Sequence, residues 1–149
     1  MKALVVVDMQ QKYLPYYQEN LLDNVNLIIE EAKGQGTPII YVRNIGKPEN
    51  KSQYELASGL KMESECIIEK NHPSAFKSEE FVNKLVEMRI TELEIVGIDG
   101  SCCVAKTALD ASKRGYAVRL LLSCVGARNE KTFSKQVQLM QEAGVLMIQ

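Results

Sequence analysis

An aspartate, a lysine and a pair of thiols occupy comparable places in this sequence, each at or just past the end of an apolar run. Asp8 follows the run from Lys2 to Val7. Lys70 closes the run that begins at Cys66. Cys102 and Cys103 follow Leu93 to Ile98 and the Asp99-Gly100 turn. A thiol attacks a carbonyl carbon as the thiolate, and a nearby cation or a helix N-terminus favours that form. A carboxylate can take the thiol proton and return it to a leaving amine. Lysine can hold both anions in place. Backbone N–H groups at the strand-to-helix turn, near Gly100 to Cys103, can stabilise an oxyanion. If folding gathers these groups, their chemistry is nucleophilic hydrolysis.

The elements that must gather them alternate along the chain. Strand-like runs cover Lys2 to Val7, Thr37 to Val42, Cys66 to Lys70, Leu93 to Ile98, Ala117 to Cys124 and Val145 to Ile148. Between them lie helical patterns. Leu22, Val25, Ile29 and Ala32 recur at helical spacing before Gly34 and Gly36. Ser78 is placed to cap a helix carrying Phe81, Leu85 and Met88. A third helix begins at the cysteines and ends at Gly115, and a fourth runs from Asn129 to Gly144. This order predicts one α/β domain over residues 1–149, with a doubly wound, mostly parallel six-stranded sheet of Rossmann-like type and helices on both faces. In a parallel sheet the carboxyl ends share one edge, where ligands bind. Asp8, Lys70 and the cysteines are thereby expected at one crevice. The segment from Arg43 to Glu65 is irregular, with one short helix expected around Ser52 to Ser58. It is a candidate lid or assembly interface, and a plain solvated connection is the competing reading.

Composition narrows the function. Of 149 residues, 46% are hydrophobic and 25% charged, and the net charge is −1. That balance gives no electrostatic reason to expect a nucleic acid or a membrane surface as partner. The first residues read as a strand and not as a signal peptide, because Asp8 interrupts the apolar run. The four cysteines show no CxxC spacing, so reduced thiols in a cytoplasmic protein are expected, with Cys66 and Cys124 as core thiols.

Three blocks of this sequence resemble the isochorismatase-like cysteine hydrolases, a family that includes nicotinamidases and N-carbamoylsarcosine amidases. They are Ala3-Leu4-Val5-Val6-Val7-Asp8-Met9-Gln10, Lys70-Asn71-His72-Pro73-Ser74-Ala75-Phe76 and the stretch from Gly97 to Ala111, with Cys103-Val104 at its centre. The resemblance implies Cys103 as nucleophile rather than Cys102, Asp8 as acid and base, and Lys70 as the residue that anchors the thiolate. It implies a cis peptide bond at Ile98-Asp99, in an oxyanion-hole segment made of Ile98, Asp99, Gly100 and Cys103. It also implies a homodimer or higher homo-oligomer. Gln10 and Tyr13, which follow Asp8, and His72, which follows Lys70, are candidates for the substrate pocket. Tyr13 stands where the family usually has phenylalanine.

The sequence departs from the nicotinamidases at one point. They hold a metal with an aspartate and histidines after the second strand. Here that region reads Val42-Arg43-Asn44-Ile45-Gly46-Lys47-Pro48, and the chain's single histidine is His72. No metal and no cofactor are therefore expected, and nicotinamide is disfavoured as substrate. The reading is a hydrolase that cleaves the C–N bond of a small amide or carbamoyl compound through a Cys103 thioester. The chain is shorter than typical members, so the pocket is expected to be open or completed by a second subunit. Two alternatives stay open: a catalytically silent small-molecule-binding or regulatory protein of the same fold, and a flavodoxin-like nucleotide binder.

Overall fold

From Ala3 to Val7, successive residues of the first strand are apolar and buried, so both faces of the sheet must be covered. The structure is a computed structural model of residues 1–149, in which every backbone position is described and the side chains of Pro48, Asn50 and Lys51 are not. Six strands form a single sheet: β1 (Lys2–Val7), β2 (Ile39–Asn44), β3 (Ile67–Lys70), β4 (Glu92–Ile98), β5 (Ala117–Gly126) and β6 (Leu146–Ile148). Their spatial order is β3-β2-β1-β4-β5-β6 and every pairing is parallel. The expected mostly parallel sheet is thus wholly parallel. This is the doubly wound order in which the chain reverses direction between β1 and β4, and the crevice for a ligand opens there.

Four helices cover the sheet. On one face α1 (Leu21–Gly34) packs Leu21, Val25 and Ile29 against Leu4 and Val6. On the other, α2 (Glu79–Glu87), α3 (Cys103–Lys113) and α4 (Glu130–Glu142) pack Phe81, Leu85, Val104, Ala108 and Met140 against Ala3, Val5 and Val7. Burial of a side chain such as Phe81 or Leu85 contributes about 2–3 kcal/mol each. Helix starts follow their capping residues. Ser78 Oγ accepts from Phe81 N at 3.3 Å, and Asn129 Oδ1 from Thr132 N at 2.9 Å. Small residues along α3 let it lie close to β4 and β5.

Two strands run further than their apolar pattern. β2 continues through Arg43 and Asn44 because β3 offers partners there, Arg43 opposite Glu69 and Asn44 opposite Lys70, and Arg43 forms an ion pair with Glu69. β5 continues to Gly126, paired with Ile98. No α-helix joins β2 to β3. The expected short helix around Ser52 to Ser58 is instead a 3-10 stretch over Pro48–Tyr54. The following residues are tied to the sheet: Gln10 and Leu56 form an antiparallel bridge, Ala57 N donates to Met9 O at 2.9 Å, and Tyr41 Oη donates to Lys61 O at 2.6 Å. Ala57 and Leu60 are buried in the α1-side core. This part of the Arg43 to Glu65 segment substitutes for a covering helix. Among the described residues, no helix is long and apolar enough to cross a membrane.

Candidate active site

Asp8 is the first residue past β1, with φ of 52° in the left-handed region, which short polar side chains tolerate. Its N–H donates to Val42 O at 2.9 Å, so the chain turns out of the sheet there with its hydrogen bonding intact. Lys70 is the last residue of β3, and Cys103 is the first of α3. Because β1 lies between β2 and β4, the three meet at the carboxyl edge. Lys70 Nζ lies 3.1 Å from Asp8 Oδ2, 3.4 Å from Asn44 Oδ1 and 3.5 Å from Cys103 Sγ. An ammonium has three N–H donors and no acceptor, and each donor here has one partner. Lys70 is 4% exposed and Asp8 3%, so the pair is buried.

The donor-only lysine orients a relay. Asn44 must turn its oxygen to Lys70, and its Nδ2 donates to Tyr13 Oη at 3.2 Å. The Tyr13 proton is then directed away from Asn44. Asp8 Oδ1 is buried and has no hydrogen-bond partner among the described residues. It is available to the thiol proton.

Burial raises the Asp8 carboxyl above its ordinary value, and the Lys70 charge opposes that rise without cancelling it. The Cys103 thiol is pushed up to about 12, first by burial and then by the Asp8 charge, with Lys70 pulling the other way. Burial and the Asp8 charge thus favour the thiol form, against the pull of Lys70 toward the thiolate. The neighbouring carboxylate keeps the proton on sulfur and at the same time makes Asp8 the base that can remove it.

The loop between β4 and α3 is held by Asp99. Its Oδ1 accepts from Ser101 N at 2.7 Å and Ser101 Oγ at 2.6 Å, and its Oδ2 from Tyr17 Oη at 2.9 Å and Arg128 N at 3.2 Å. Burial alone would raise this carboxyl, but these donors outweigh it and hold it below the usual range. The Ile98–Asp99 peptide bond is cis. The Gly100 N–H, expected among the oxyanion donors, is engaged by Gly126 O at 2.8 Å, and Cys102 N donates to Asp99 O at 3.0 Å. The Cys103 N–H opens α3, where the first amides have no acceptor within the helix. Gly100 also packs tightly: a Cβ there would lie 2.6 Å from Phe133.

A cavity of about 250 Å³ opens beside these groups, walled by Asp8, Cys103 and Cys102 on one side and by Tyr13, Tyr17, Asn44, Ile98 and Asp99 around it. Tyr13 lines this cavity. Gln10 and His72 do not. Gln10 is fully buried and serves the backbone: it accepts from Asn44 N at 2.7 Å and donates to Asn44 O and Tyr54 O. Gln10 thus fixes Asn44 and is a positioning residue. His72 is exposed and lines a separate cleft with Lys106 and Asp110, because the chain turns away from the crevice after Lys70.

The site contains two residues that sequence reasoning passed over, Asn44 and Tyr17. Asn44 was hidden by the apolar limit drawn for β2, and its signal was its register opposite Lys70. Tyr17 lay in a segment with no periodic pattern. The donors near β2 do not fit a metal of the nicotinamidase kind. Asn44 is bound to Lys70 and Tyr13, and Arg43 pairs with Glu69. Among the described residues no cluster of three or more His, Cys, Asp or Glu side chains is close enough to hold a metal ion.

An α/β sheet of this order, with a buried Asp–Lys pair beside a cysteine at a strand-to-helix turn, is the architecture of a hydrolase. Residues 2–149 match the Isochorismatase domain family, and the chain belongs to it. An uncharacterized isochorismatase family protein of Bacillus subtilis, YddQ, is 24% identical over 133 residues, 80% of this chain and 74% of that one. The N-carbamoylsarcosine amidase of an Arthrobacter species is 25% identical over 134 residues, 74% of this chain and 51% of that protein. The pyrazinamidase of Pyrococcus horikoshii, solved in complex with zinc, superposes with a TM-score of 0.89 at 24% identity, covering 99% and 98% of the two chains. The Escherichia coli YcaC protein, described as an octameric hydrolase of unknown specificity, gives 0.86 at 25% identity, covering 99% and 74%.

Proposed function

We propose that the protein hydrolyses the C–N bond of a small amide or carbamoyl compound, with Cys103 as nucleophile, Asp8 as proton carrier and Lys70 as their anchor. The observation that carries this is the single ammonium of Lys70 within 3.5 Å of both Asp8 and Cys103 in a buried setting. Family membership and the amidase relative support it. As Sγ bonds to the carbonyl carbon, its proton passes to Asp8. The oxyanion is met by the Cys103 N–H at the start of α3. Asp8 then gives the proton to the nitrogen as the C–N bond breaks, and ammonia or an amine leaves. Water attacks the thioester, Asp8 takes its proton, and the acid departs as the thiol is restored. The thiol need not be ionised beforehand, which suits a value held up to about 12.

The protein acts as a homo-oligomer in this proposal, in line with the octameric neighbour, and light scattering in solution tests that part. The reaction is tested by ammonia release across a panel of small amides, with acyl adducts sought by mass spectrometry after rapid quenching. Turnover abolished by Cys103→Ala, together with an adduct on Cys103, supports the hydrolase. Tight ligand binding without product makes the chain a silent binding member of the family instead.

A further inference from the structure

The proposed reaction places a carbonyl against Cys103 but leaves open what else the substrate carries. The charges on the cavity wall bear on this. Asp8 is matched by Lys70 at 3.1 Å. Asp99 has no such ion pair among the described residues: its partners are the N–H and O–H of Ser101, the O–H of Tyr17 and the backbone N–H of Arg128, all neutral donors. Neutral donors stabilise a carboxylate in its ionised form without cancelling its charge. The guanidinium of Arg128 is turned to the ring of Tyr16, 4.7 Å from its centroid, and the residue is exposed at the rim.

Tyr17 adds to the same sign. Its one proton goes to Asp99, so toward the cavity its oxygen can only accept. Among the described residues that line the cavity there is no lysine, arginine or histidine. The donors of Lys70 are directed at Asp8, Asn44 and Cys103. One half-buried wall of the site thus holds a carboxylate that makes no ion pair among the described residues, with the Arg128 charge reaching Tyr17 from the rim, beside a hydrogen-bond acceptor.

We propose that the substrate is a small amide or carbamoyl compound bearing a protonated amine, that Asp99 selects it, and that amides bearing a carboxylate are disfavoured. The inference rests on the amide-hydrolase reading above and adds the charge class of the substrate. Opposite charges meeting at a partly buried site change affinity by about tenfold or more, and like charges do so in the other direction.

The test uses the Cys103→Ala protein, which binds without turnover, and titration calorimetry with three amides of matched length. β-Alaninamide carries an ammonium, butyramide is neutral, and succinamate carries a carboxylate. The expected order is β-alaninamide about tenfold tighter than butyramide, with succinamate the weakest. Adding Asp99→Asn is expected to bring β-alaninamide and butyramide together, whereas adding Ser101→Ala, which keeps the charge, leaves the order in place. Equal affinities in the Cys103→Ala protein, or a preference for succinamate, overturn the inference whether or not the Asp99→Asn protein folds. Retention of the preference in a folded Asp99→Asn protein overturns it as well. The two readings separate: charge ranking with no ammonia from any amide in the wild type sinks only the hydrolase, and ammonia release without charge ranking sinks only this inference.

Discussion

Asn44 stands opposite Lys70 in the β2–β3 register, and Lys70 donates to its Oδ1 at 3.4 Å. That pairing fixes which way the amide faces, and so delivers a donor to Tyr13 and directs the tyrosine proton away from Asn44. If this relay positions substrate, Asn44→Ala and Tyr13→Phe each lower kcat/KM about tenfold, the worth of one hydrogen bond. The double variant then loses little more than either single one, since both act through the same chain of bonds. A double-mutant cycle in kcat/KM on any amide the protein turns over checks this, and strict additivity speaks against the relay.

Lys70→Ala leaves the Asp8 carboxyl buried without its cation, so ionising it costs more than in the wild type. The expected destabilisation is about 3–5 kcal/mol at pH 7, measured by urea unfolding. The sign with pH follows from the raised Asp8 value. The folded state favours the protonated carboxyl, so the penalty exists while Asp8 is ionised and fades as the pH falls through its folded value. Unfolding at pH 5 is therefore expected to separate variant from wild type by less than at pH 7.

The Cys103 thiol, held up to about 12, should be alkylated more slowly at pH 8 than a free cysteine. Asp8→Asn removes a charge that raises it, so labelling at Cys103 becomes faster even as turnover is lost. Lys70→Ala removes the opposing charge and slows labelling. Iodoacetamide labelling followed peptide by peptide distinguishes Cys103 from Cys102, and a slower Asp8→Asn rate contradicts the electrostatic account. Between pH 9 and about 12 the unfolded thiol loses its proton and the native one keeps it, so unfolding free energy falls across that window. The fall is expected to be shallower in Cys103→Ala.

Gly97 has φ of +118°, and a Cβ there would lie 2.1 Å from Val7 O, at the end of the strand that leads into Asp8. Gly97→Ala therefore meets both backbone strain and a backbone clash and is expected to cost about 3 kcal/mol or more. Gly115, at φ of +93° with nothing within 4 Å of its Cβ position, carries only the conformational part. Gly115→Ala should cost about 1–2 kcal/mol. Thermal unfolding of the two proteins side by side measures the difference, and equal losses exclude the clash.

Apolar runs, helix spacing and capping residues are local properties, which is why six strands, four helices and the caps at Ser78 and Asn129 were legible in the sequence. So was the shared edge of Asp8, Lys70 and Cys103, because parallel strands put all carboxyl ends together. Polar positions were less legible. Arg43 and Asn44 extend β2 only because β3 pairs with them. Gln10 and His72 flank catalytic candidates in sequence yet turn to a buried backbone and to another cleft. The tertiary structure alone decided the charge state of the thiol, since burial and the Asp8 carboxylate outweigh Lys70. It alone also decided that Asp99, a turn residue by sequence, stands ionised on the cavity wall. Residue types state which groups can carry charge, but distance and solvent exclusion determine where the charge resides.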